Sequence, residues 1–387
     1  MKKYWQFLLI AGVTVITLSV HYIQVVNAKN NDFKFTFNNI SGDDSYLDSL
    51  VIEANVEYGG GYSSALISKE ETILKDSSDF SKRPLVFQNL IDEHKNFMRG
   101  KALLANNYFE DDTKLVYVKD PEEAWKVKDG ETYSYKIDIL DKAKDTKSSF
   151  EIQSQLKSRL NWVYFSNITV VDNELKLLVK QLDQYGNEQL YLVIIDLKKQ
   201  QLLSESLIDE VGNDENTSTS IQSYNTEFNL GHEKYYIYSV DSYGLNSPEY
   251  NLLSRQFHAM NTETNEVTAI QLPEGLDQKM QSVAVEDNYL VIAYSTNTEK
   301  VIYRYNIGQQ RWLDPVMLPQ PMNLNNEQNS MSAQNGKLYV MNGMDSDYML
   351  QIFDIEKGIL LYEGKLSNDN AKRNYYIWAS NFYDLSK

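Results

Sequence analysis

The sequence predicts an all-β fold, and three observations support this prediction. First, the chain is rich in aromatic residues: its 387 residues include 28 tyrosines, 14 phenylalanines and 5 tryptophans. Such residues are enriched in strands because they fit a half-buried pleated surface. Second, short apolar runs alternate with turns that contain Asn, Asp and Gly. Third, a unit of such runs recurs along the second half of the chain, which indicates repeated small sheets.

The N-terminal segment has its own character. Lys2 and Lys3 precede an apolar run over Tyr4–Val26, and no further charge occurs before Lys29. Positive residues at the start of such a run remain in the cytoplasm. The segment is therefore predicted to carry the rest of the chain out of the cytoplasm.

Two interpretations of this segment stay open. Residues 1–28 have the basic start and apolar stretch of a signal peptide, and cleavage after Ala28 would suit the small residue there. Residues 4–26 are also long enough for a single membrane anchor, since a spanning helix needs about 20 apolar residues. In both cases residues 29–387 form an extracytoplasmic domain, either secreted or held at the membrane.

Composition excludes several classes of protein. The chain has no cysteine, so it has no disulfide, no cysteine nucleophile and no thiolate zinc site. An exported chain without cysteine suits a bacterial surface, where disulfides are not assured. The formal net charge of −17 disfavours nucleic acid, whose phosphates dominate its affinity for proteins. It also leaves residues 4–26 as the only predicted contact with a membrane.

The first half of the body shows strands in less regular order. Residues 49–54 and 65–67 are predicted strands around Gly59–Gly61. A second unit joins residues 114–118 to 133–138, and Asp138 is predicted to be its anchor, the polar residue that ends the strand before a turn. The final strand, residues 375–379, is predicted to pair with residues 33–37, because such pairing would remove exposed edges.

Three segments of this body interrupt the pattern of strands. Residues 85–103 place apolar residues at helical spacing, which predicts one short helix. Residues 151–160 are expected to form a polar helical turn. Residues 209–220 contain few apolar residues and are expected to form a surface loop.

The repeated unit has a fixed order of parts. A turn leads into a strand, a hairpin, and a second strand that ends in Asp or Asn, here called the anchor residue; a polar turn and a last strand follow. The anchors are 65, 45 and 48 residues apart and lie at Asp196, Asn261, Asn306 and Asp354. A short polar side chain at this position can accept hydrogen bonds from the backbone of the next turn.

This pattern resembles the β-propeller class, whose blades hold four strands and recur at about 40–50 residues. The resemblance covers about residues 33–384 and implies six to seven four-stranded blades, preceded by one N-terminal hydrophobic helix. It is one of architecture only, because the Trp-Asp and Gly-His pairs of one propeller family and the double glycine of kelch repeats are missing. The alternative fold is a pair of β-sandwiches, which share the alternation and the turn spacing.

The search for chemistry assigns no catalytic, cofactor-binding or metal-ligating residue, and no cofactor. His94, His232 and His258 stand alone, without the second histidine three or four residues away that announces many zinc sites. The segment nearest to a serine nucleophile elbow, Gly61–Ala65, lacks the second glycine. Phosphate-binding glycine loops are also missing from the sequence.

Acidic loops and exposed aromatic residues are the remaining candidates. The loops at residues 41–44, 110–112 and 209–215 lack the order of a known calcium loop and are interpreted as solvated turns. A recognition face could use aromatic side chains in loops, although the same residues could pack between blades. These residues are Trp125, Tyr185, Tyr243, Tyr250 and Trp312.

Export, repeated sheets and the lack of a catalytic motif favour a non-enzymatic protein. We expect it to bind a protein or a cell-surface ligand through blade loops. Two alternatives stay open. One is a cell-surface glycan hydrolase, which would place two carboxylates in a central channel. The other is a sensor domain that partners a membrane signalling protein.

Overall fold

The computed structural model describes residues 34–385 apart from 59–60, 77–84, 121–131, 158–159, 184, 226–229, 246–250, 275, 277–279, 287, 296–299, 318–328, 345–346 and 369–374. The predicted signal peptide or anchor therefore lies outside the described residues. Within the described part, no helix has the length and apolar character needed to cross a membrane. The chain divides into a terminal unit, residues 1–82 with 320–387, and a central unit, residues 83–319.

The all-β prediction is confirmed: both units consist mainly of antiparallel sheets, which we number 1 to 6 in chain order. In the described part of the central unit, sheets 2 and 3 have four strands each. Sheet 2 has the order β5 (Tyr108–Glu110), β6 (Lys114–Lys119), β7 (Thr132–Asp141) and β8 (Thr146–Lys157). Sheet 3 has the order β9 (Leu160–Val171), β10 (Glu174–Asp183), β11 (Glu188–Asp196) and β12 (Gln201–Val211).

Sheets 4 and 5 continue the central unit with the same meander. Sheet 4 has the order β13 (Thr217–Ser223), β14 (Tyr235–Gly244), β15 (Asn251–Asn261) and β16 (Val267–Ile270). Sheet 5 has the order β17 (Met280–Glu286), β18 (Tyr289–Ser295), β19 (Lys300–Asn306) and β20 (Arg311–Trp312), and β21 (Val316–Met317) also pairs with β19.

The terminal unit holds sheets 1 and 6, and each of them combines strands from both ends of the chain. In sheet 1, the last strand β26 (Tyr375–Asp384) lies beside β2 (Leu50–Tyr58), followed by β3 (Gly61–Ser68) and β4 (Thr72–Asp76). In sheet 6, β22 (Asn329–Gln334), β23 (Lys337–Met344), β24 (Asp347–Asp354) and β25 (Leu360–Asn368) are followed by β1 (Phe35–Gly42).

The predicted pairing of the final strand with residues 33–37 is wrong, although both segments are strands. β26 pairs with β2, with Leu50 opposite Asp384, whereas β1 pairs with β25, with Phe35 opposite Asn368. Both strands lie at the end of their sheet, but their burial differs. β26 buries side chains such as Ile377, whereas β1 is exposed beyond its first residues.

The helical prediction for residues 85–103 is confirmed in part: two short helices, α1 (Leu85–Glu93) and α2 (Lys95–Met98), replace the single predicted helix, and helical structure ends at Met98. Their apolar side chains pack on sheet 2, where the ring centroid of Phe87 lies 5.2 Å from that of Tyr108. The helical turn expected at residues 151–160 is wrong. That segment belongs largely to β8, whose burial alternates at Ile152 and Ser154 with period two.

The loop expected at residues 209–220 is much shorter than predicted. β12 continues to Val211 and β13 begins at Thr217, so only residues 212–216 connect the two strands. β13 was predicted to be part of a loop because its side chains are mostly polar. A strand at the edge of a sheet needs few apolar side chains, so a polar segment can form a strand there.

Consecutive sheets of the central unit share apolar cores. Tyr135 and Ile137 of sheet 2 belong to one buried cluster with Val179 and Val193 of sheet 3. A second cluster joins sheets 3 and 4, and a third joins sheets 4 and 5. A single sheet of four short strands cannot bury both of its faces, so each sheet depends on its neighbours for stability.

The anchor residues predicted from the sequence make the turns of the later sheets. In sheet 3, Asp196 Oδ1 accepts hydrogen bonds from the backbone N–H groups of Lys198 and Lys199, at 2.9 and 2.8 Å. In sheet 4, Asn261 Oδ1 accepts from the backbone of Glu263 and Thr264. Asn306 and Asp354 act in the same way in sheets 5 and 6.

In sheet 2 the predicted anchor is wrong by three residues. Asp141, at the end of β7, accepts from the backbone N–H of Lys144 and is the anchor of this sheet. Asp138 instead bonds the side chains of Lys101 and Ser149. In sheet 1 a serine has this function, because the Glu71 N–H donates to Ser68 Oγ at 3.2 Å.

The anchored turns share a second feature, which the sequence analysis missed. The residue four positions after the anchor adopts a positive φ in sheets 2 to 6. These residues are Asp145, Gln200, Asn265, Gln310 and Gly358, with φ of 48°, 54°, 66°, 50° and 70°. Only one of them is glycine, so the repeat is conserved in backbone conformation although its sequence varies.

Candidate ligand-binding site

Of the five aromatic residues proposed for recognition, three lie in the described part of the chain, and their surroundings differ. The Trp312 indole N–H donates to the Gln271 carbonyl at 2.8 Å, and its ring packs on Tyr305 with centroids 5.1 Å apart. Tyr243 donates its hydroxyl to Asp241 at 3.1 Å. Tyr185 alone of these three is highly exposed, at 73%. Trp125 and Tyr250 lie outside the described residues.

The histidines of the described chain have structural surroundings. The His258 ring stacks on Tyr238 with centroids 4.9 Å apart, and burial lowers the pKa of His258, against the opposing effect of Asp209. His94 precedes α2, and its backbone accepts from Phe97. Among the described residues, no group of three His, Asp or Glu side chains could hold a metal ion.

One arrangement joins a hydroxyl, an imidazole and a carboxylate. Thr169 Oγ1 lies 3.0 Å from His232 Nδ1, and His232 Nε2 lies 3.9 Å from the Glu263 carboxylate. Such an order is typical of a nucleophile, a base and an orienting acid. Thr169 is only 3% exposed, so a substrate could not reach its hydroxyl, and the second distance exceeds a hydrogen bond. We therefore assign this cluster to packing between sheets 3 and 4.

The carboxylates of the acidic loops serve their own turns. Asp43 accepts from the Ser45 N–H, and Asp214 accepts from the Asn216 and Thr217 N–H groups. Asp111 accepts from Thr113 and Lys114. Burial alone would raise the pKa of Asp111, but hydrogen bonds from Lys114 and Thr113 outweigh it and lower the pKa to about 2.

An ion pair in sheet 4 joins the fully buried Asp241 to Arg255, which is 16% exposed. Arg255 Nε contacts both carboxylate oxygens of Asp241, at 2.8 and 2.9 Å, and Ser239 donates to the same carboxylate at 2.6 Å. Tyr224 in turn contacts Ser239 at 3.1 Å. Every acceptor of Asp241 is thus engaged, which explains how a charge can be buried there.

A cavity of about 90 Å³ lies between sheets 4 and 5 of the central unit. Its floor is apolar and deeply buried, and consists of Ala259, Ile270 and Ile307. Two tyrosines, Tyr235 and Tyr305, add aromatic walls. The remaining lining residues are Asn261, Glu266, Thr268, Gly308 and Gln310.

The repeated turns build this cavity. Asn261 is the anchor of sheet 4, and Gly308 and Gln310 belong to the anchored turn of sheet 5, so the cavity opens where two such turns come together. Glu266 directly follows the anchored turn of sheet 4, and its carboxylate accepts from Thr264 Oγ1 at 3.3 Å. Burial raises the pKa of the Tyr305 hydroxyl further above neutral pH.

Polar oxygens surround Gly308 at the edge of the cavity. A Cβ at this position would lie 3.7 Å from each of Tyr235 Oη, Asn288 Oδ1 and Asn306 Oδ1. Gly308 therefore leaves room that a larger residue would fill. Its backbone does not adopt a positive φ, and a Cβ at this position would meet its neighbours at ordinary contact distance, so the position accepts a small side chain.

The sequence predicted that Asn261 and Asn306 are anchors, but it did not predict that they lie at a cavity. A cavity depends on the distance between two sheets that are about 45 residues apart in the chain, and local patterns do not contain that distance. The tyrosines of this site were counted as strand residues. One available signal was the glycine in the turn of sheet 5 at a position where the other turns have a side chain.

Comparison with known proteins leaves the family open. No protein-family model and no curated protein matches the chain. Solved structures that resemble it include the β-propeller domain of the Trilobed protease from Pyrococcus furiosus, at 10% identity over 92% of this chain and 98% of that one, with a TM-score of 0.35. Another is an apocarotenoid oxygenase of Synechocystis, at 6% identity over 90% and 96%, with a TM-score of 0.40. AztD from Citrobacter koseri matches at 9% identity over 85% and 98%, with a TM-score of 0.35.

These likenesses are too loose to carry any statement about family or activity. The assignment of the fold rests on the repetition within the structure. Antiparallel sheets of four or five strands recur along the chain, and in sheets 2 to 6 the residue four positions after the anchor has a positive φ. The chain is therefore an all-β protein that resembles the β-propellers in architecture.

Proposed function

We propose that this chain is an extracytoplasmic, non-enzymatic β-propeller that binds a protein or a cell-surface ligand. Each of the six sheets would be one blade. The observation that supports binding most directly is the cavity between sheets 4 and 5, where hydroxyl, amide and carboxylate groups surround an apolar floor. Small concave sites with a few convergent polar groups are typical of ligand recognition.

The proposed location rests on the sequence. Lys2 and Lys3 before an uncharged run to Lys29 predict that residues 29–387 lie outside the cytoplasm, secreted or held by residues 4–26. The chain has no cysteine, so a thiol reagent would label only a cysteine that is introduced by mutation, and this allows the prediction to be tested.

The test labels intact cells with a maleimide that cannot cross the membrane. Lys199 lies in the anchored turn of sheet 3 with 67% of its side chain exposed. We expect the Lys199→Cys variant to be labelled on intact cells, while the cysteine-free parent gives the blank. A Lys3→Cys variant should be labelled only after lysis, or be lost with a cleaved peptide. Labelling of Lys199→Cys only after lysis would overturn the proposed location.

The hydrolase alternative makes a different prediction. Glycoside hydrolysis needs two carboxyl groups at a defined separation, whereas Glu266 is the single carboxylate that lines the described cavity. We expect the purified chain to release no reducing ends from a panel of polysaccharides. Sustained release by the purified chain would favour the hydrolase instead.

A further inference from the structure

We propose that the cavity between sheets 4 and 5 binds a primary ammonium group, such as the side chain of a lysine or the end of a polyamine. The inference rests on the proposed binding function and names the chemistry that the site would recognise. It is carried by the residues that line the cavity, by their charge and by the shape of its floor.

Charge is the first argument. Glu266, which is exposed, contributes a carboxylate, and the described residues that line the cavity include no lysine or arginine. A cation in the cavity can form a charge-assisted hydrogen bond with this carboxylate, which is about twice as strong as the neutral bond that an uncharged ligand could form. The cavity therefore favours a positively charged group.

Hydrogen-bonding capacity is the second argument. Three oxygens, Tyr235 Oη, Asn288 Oδ1 and Asn306 Oδ1, surround the space beside Gly308. An ammonium group has three donors and no acceptor, so it can satisfy several such oxygens at once. Asn306 Oδ1 already accepts from the Gln309 N–H and can accept one further hydrogen bond. A quaternary ammonium has no donor and could bond none of the three oxygens. This difference selects the primary amine.

The aromatic and apolar walls are the third argument. Ala259, Ile270 and Ile307 are buried apolar residues of the lining that can hold the methylene groups next to an ammonium. Tyrosine rings attract cations electrostatically. The Tyr235 ring already has the Lys234 ammonium nitrogen 5.8 Å from its centroid, so a cation is accommodated near this ring in the structure.

Size and long-range charge agree with this ligand. A volume of about 90 Å³ holds a few small groups but not a whole sugar ring with its hydroxyls. The formal net charge of −17 attracts cations over longer distances, and it predicts that binding weakens as the salt concentration rises.

The experiment titrates the purified full-length chain in detergent and follows binding by calorimetry. The probes are n-pentylamine, its neutral counterpart 1-pentanol, and choline. We expect n-pentylamine to bind with a Kd of roughly millimolar order and about tenfold tighter than 1-pentanol or choline. Equal binding of n-pentylamine and 1-pentanol would overturn the proposal, and so would tighter binding of choline.

Two variants place the binding in the cavity. Glu266→Gln should weaken n-pentylamine by about tenfold, whereas Glu274→Gln, which makes the same change at an exposed residue outside the cavity, should not. Gly308→Val should block the space beside the three oxygens without changing charge. A circular dichroism spectrum like that of the parent shows that each variant is folded. Unchanged amine binding in both Glu266→Gln and Gly308→Val would overturn the assignment.

The source of the amine is resolved by two further probes. Nα-acetyl-lysine methylamide represents a lysine side chain, and spermidine represents a free polyamine. The probe that binds more tightly identifies the class of ligand. If neither probe binds although n-pentylamine does, both sources of the amine are excluded. Because amine binding is measured on purified protein, its failure is distinct from a failure of the labelling test for export.

Discussion

Asp241 shows how single residues stabilise sheet 4. Its side chain is completely buried, and its charge is compensated by Arg255 and by the hydroxyls of Ser239 and Tyr243. An ion pair of this kind contributes little beyond a well-packed apolar pair, but removal of one partner leaves an uncompensated charge. We therefore assign Asp241 a structural function in sheet 4 and no function in ligand binding.

The Asp241→Ala variant tests this view. It leaves the partly exposed Arg255 and the hydroxyls of Ser239 and Tyr243 without their carboxylate, so we expect the free energy of unfolding to fall by about 2–3 kcal/mol. Urea denaturation of the purified chain measures the change. The exposed pair Lys144–Asp141 provides the control, and Lys144→Ala should leave stability unchanged within error. A similar small effect for Asp241→Ala would show that Arg255 finds another partner.

Asp111 makes stability depend on pH. Its pKa is about 2 in the folded chain, against an ordinary value of 3.8. Because the folded pKa is the lower one, Asp111 stabilises the folded chain above about pH 4, and this contribution is lost as the pH falls towards 2. The Asp111→Asn variant should therefore lose less stability than the parent between about pH 5 and pH 2. Parallel urea midpoints against pH for both proteins would contradict this account.

At the scale of elements, the anchored turn is the repeated part. Four of its five anchors in sheets 2 to 6 were predicted from the sequence, because a polar residue after an apolar strand is a local signal. The positive φ four residues later was missed, since the residues that adopt it include glutamine and aspartate as well as glycine. A left-handed residue other than glycine is visible only in the backbone.

A reciprocal exchange tests the conformation of these turns. Gln200 and Gly358 occupy the same place in sheets 3 and 6, with φ of 54° and 70°. Gln200→Gly should stabilise the chain, and Gly358→Gln should destabilise it, each by about 1 kcal/mol, because a side chain is strained in the left-handed region. Thermal unfolding of both variants reports the signs. Two shifts of the same sign would contradict the shared conformation.

The first and last strands were predicted to pair with each other, but they contribute unequally to the buried core of the terminal unit. β26 contributes buried side chains such as Ile377 and Phe382 to the core of the terminal unit, whereas most of β1 is exposed at a sheet edge. The sequence showed two strands rich in aromatic and apolar residues. It could not show their partners, because pairing between strands more than 300 residues apart leaves no local pattern.

Truncation separates these roles. Removal of residues 375–387 should unfold the terminal unit, because β2 loses its neighbour and the shared core loses one side. Removal of β1 alone, residues 35–42, should cost much less. Limited proteolysis of the two purified chains compares them. Equal resistance to protease, or greater sensitivity after loss of β1, would be inconsistent with the pairing found here.

At the scale of the whole molecule, the sequence predicted the fold class but not the site. Repeated apolar strands and polar anchors indicate small antiparallel sheets, and the structure confirms them. The cavity needed two sheets at a known separation, so it appeared only with the structure. The polar edge strand β13 and the alternating strand β8 were misread as loop and helix because their apolar content is low.

The closure of the terminal unit by the two ends of the chain is the claim on which this architecture depends. Asn55 of β2 lies opposite Trp378 of β26. Directly opposed residues of antiparallel strands have Cα atoms about 4.5–5.5 Å apart, a separation that a disulfide can bridge. The cysteine-free chain allows this pairing to be tested without background.

The decisive measurement is disulfide formation in the folded double variant Asn55→Cys/Trp378→Cys, followed by mass spectrometry. The structure predicts a high yield of the intramolecular bond between positions 55 and 378. In a second double variant, Thr36→Cys/Trp378→Cys, little bond should form. The reverse result, a bond at 36–378 and none at 55–378, would contradict the pairing of the last strand and the architecture built on it.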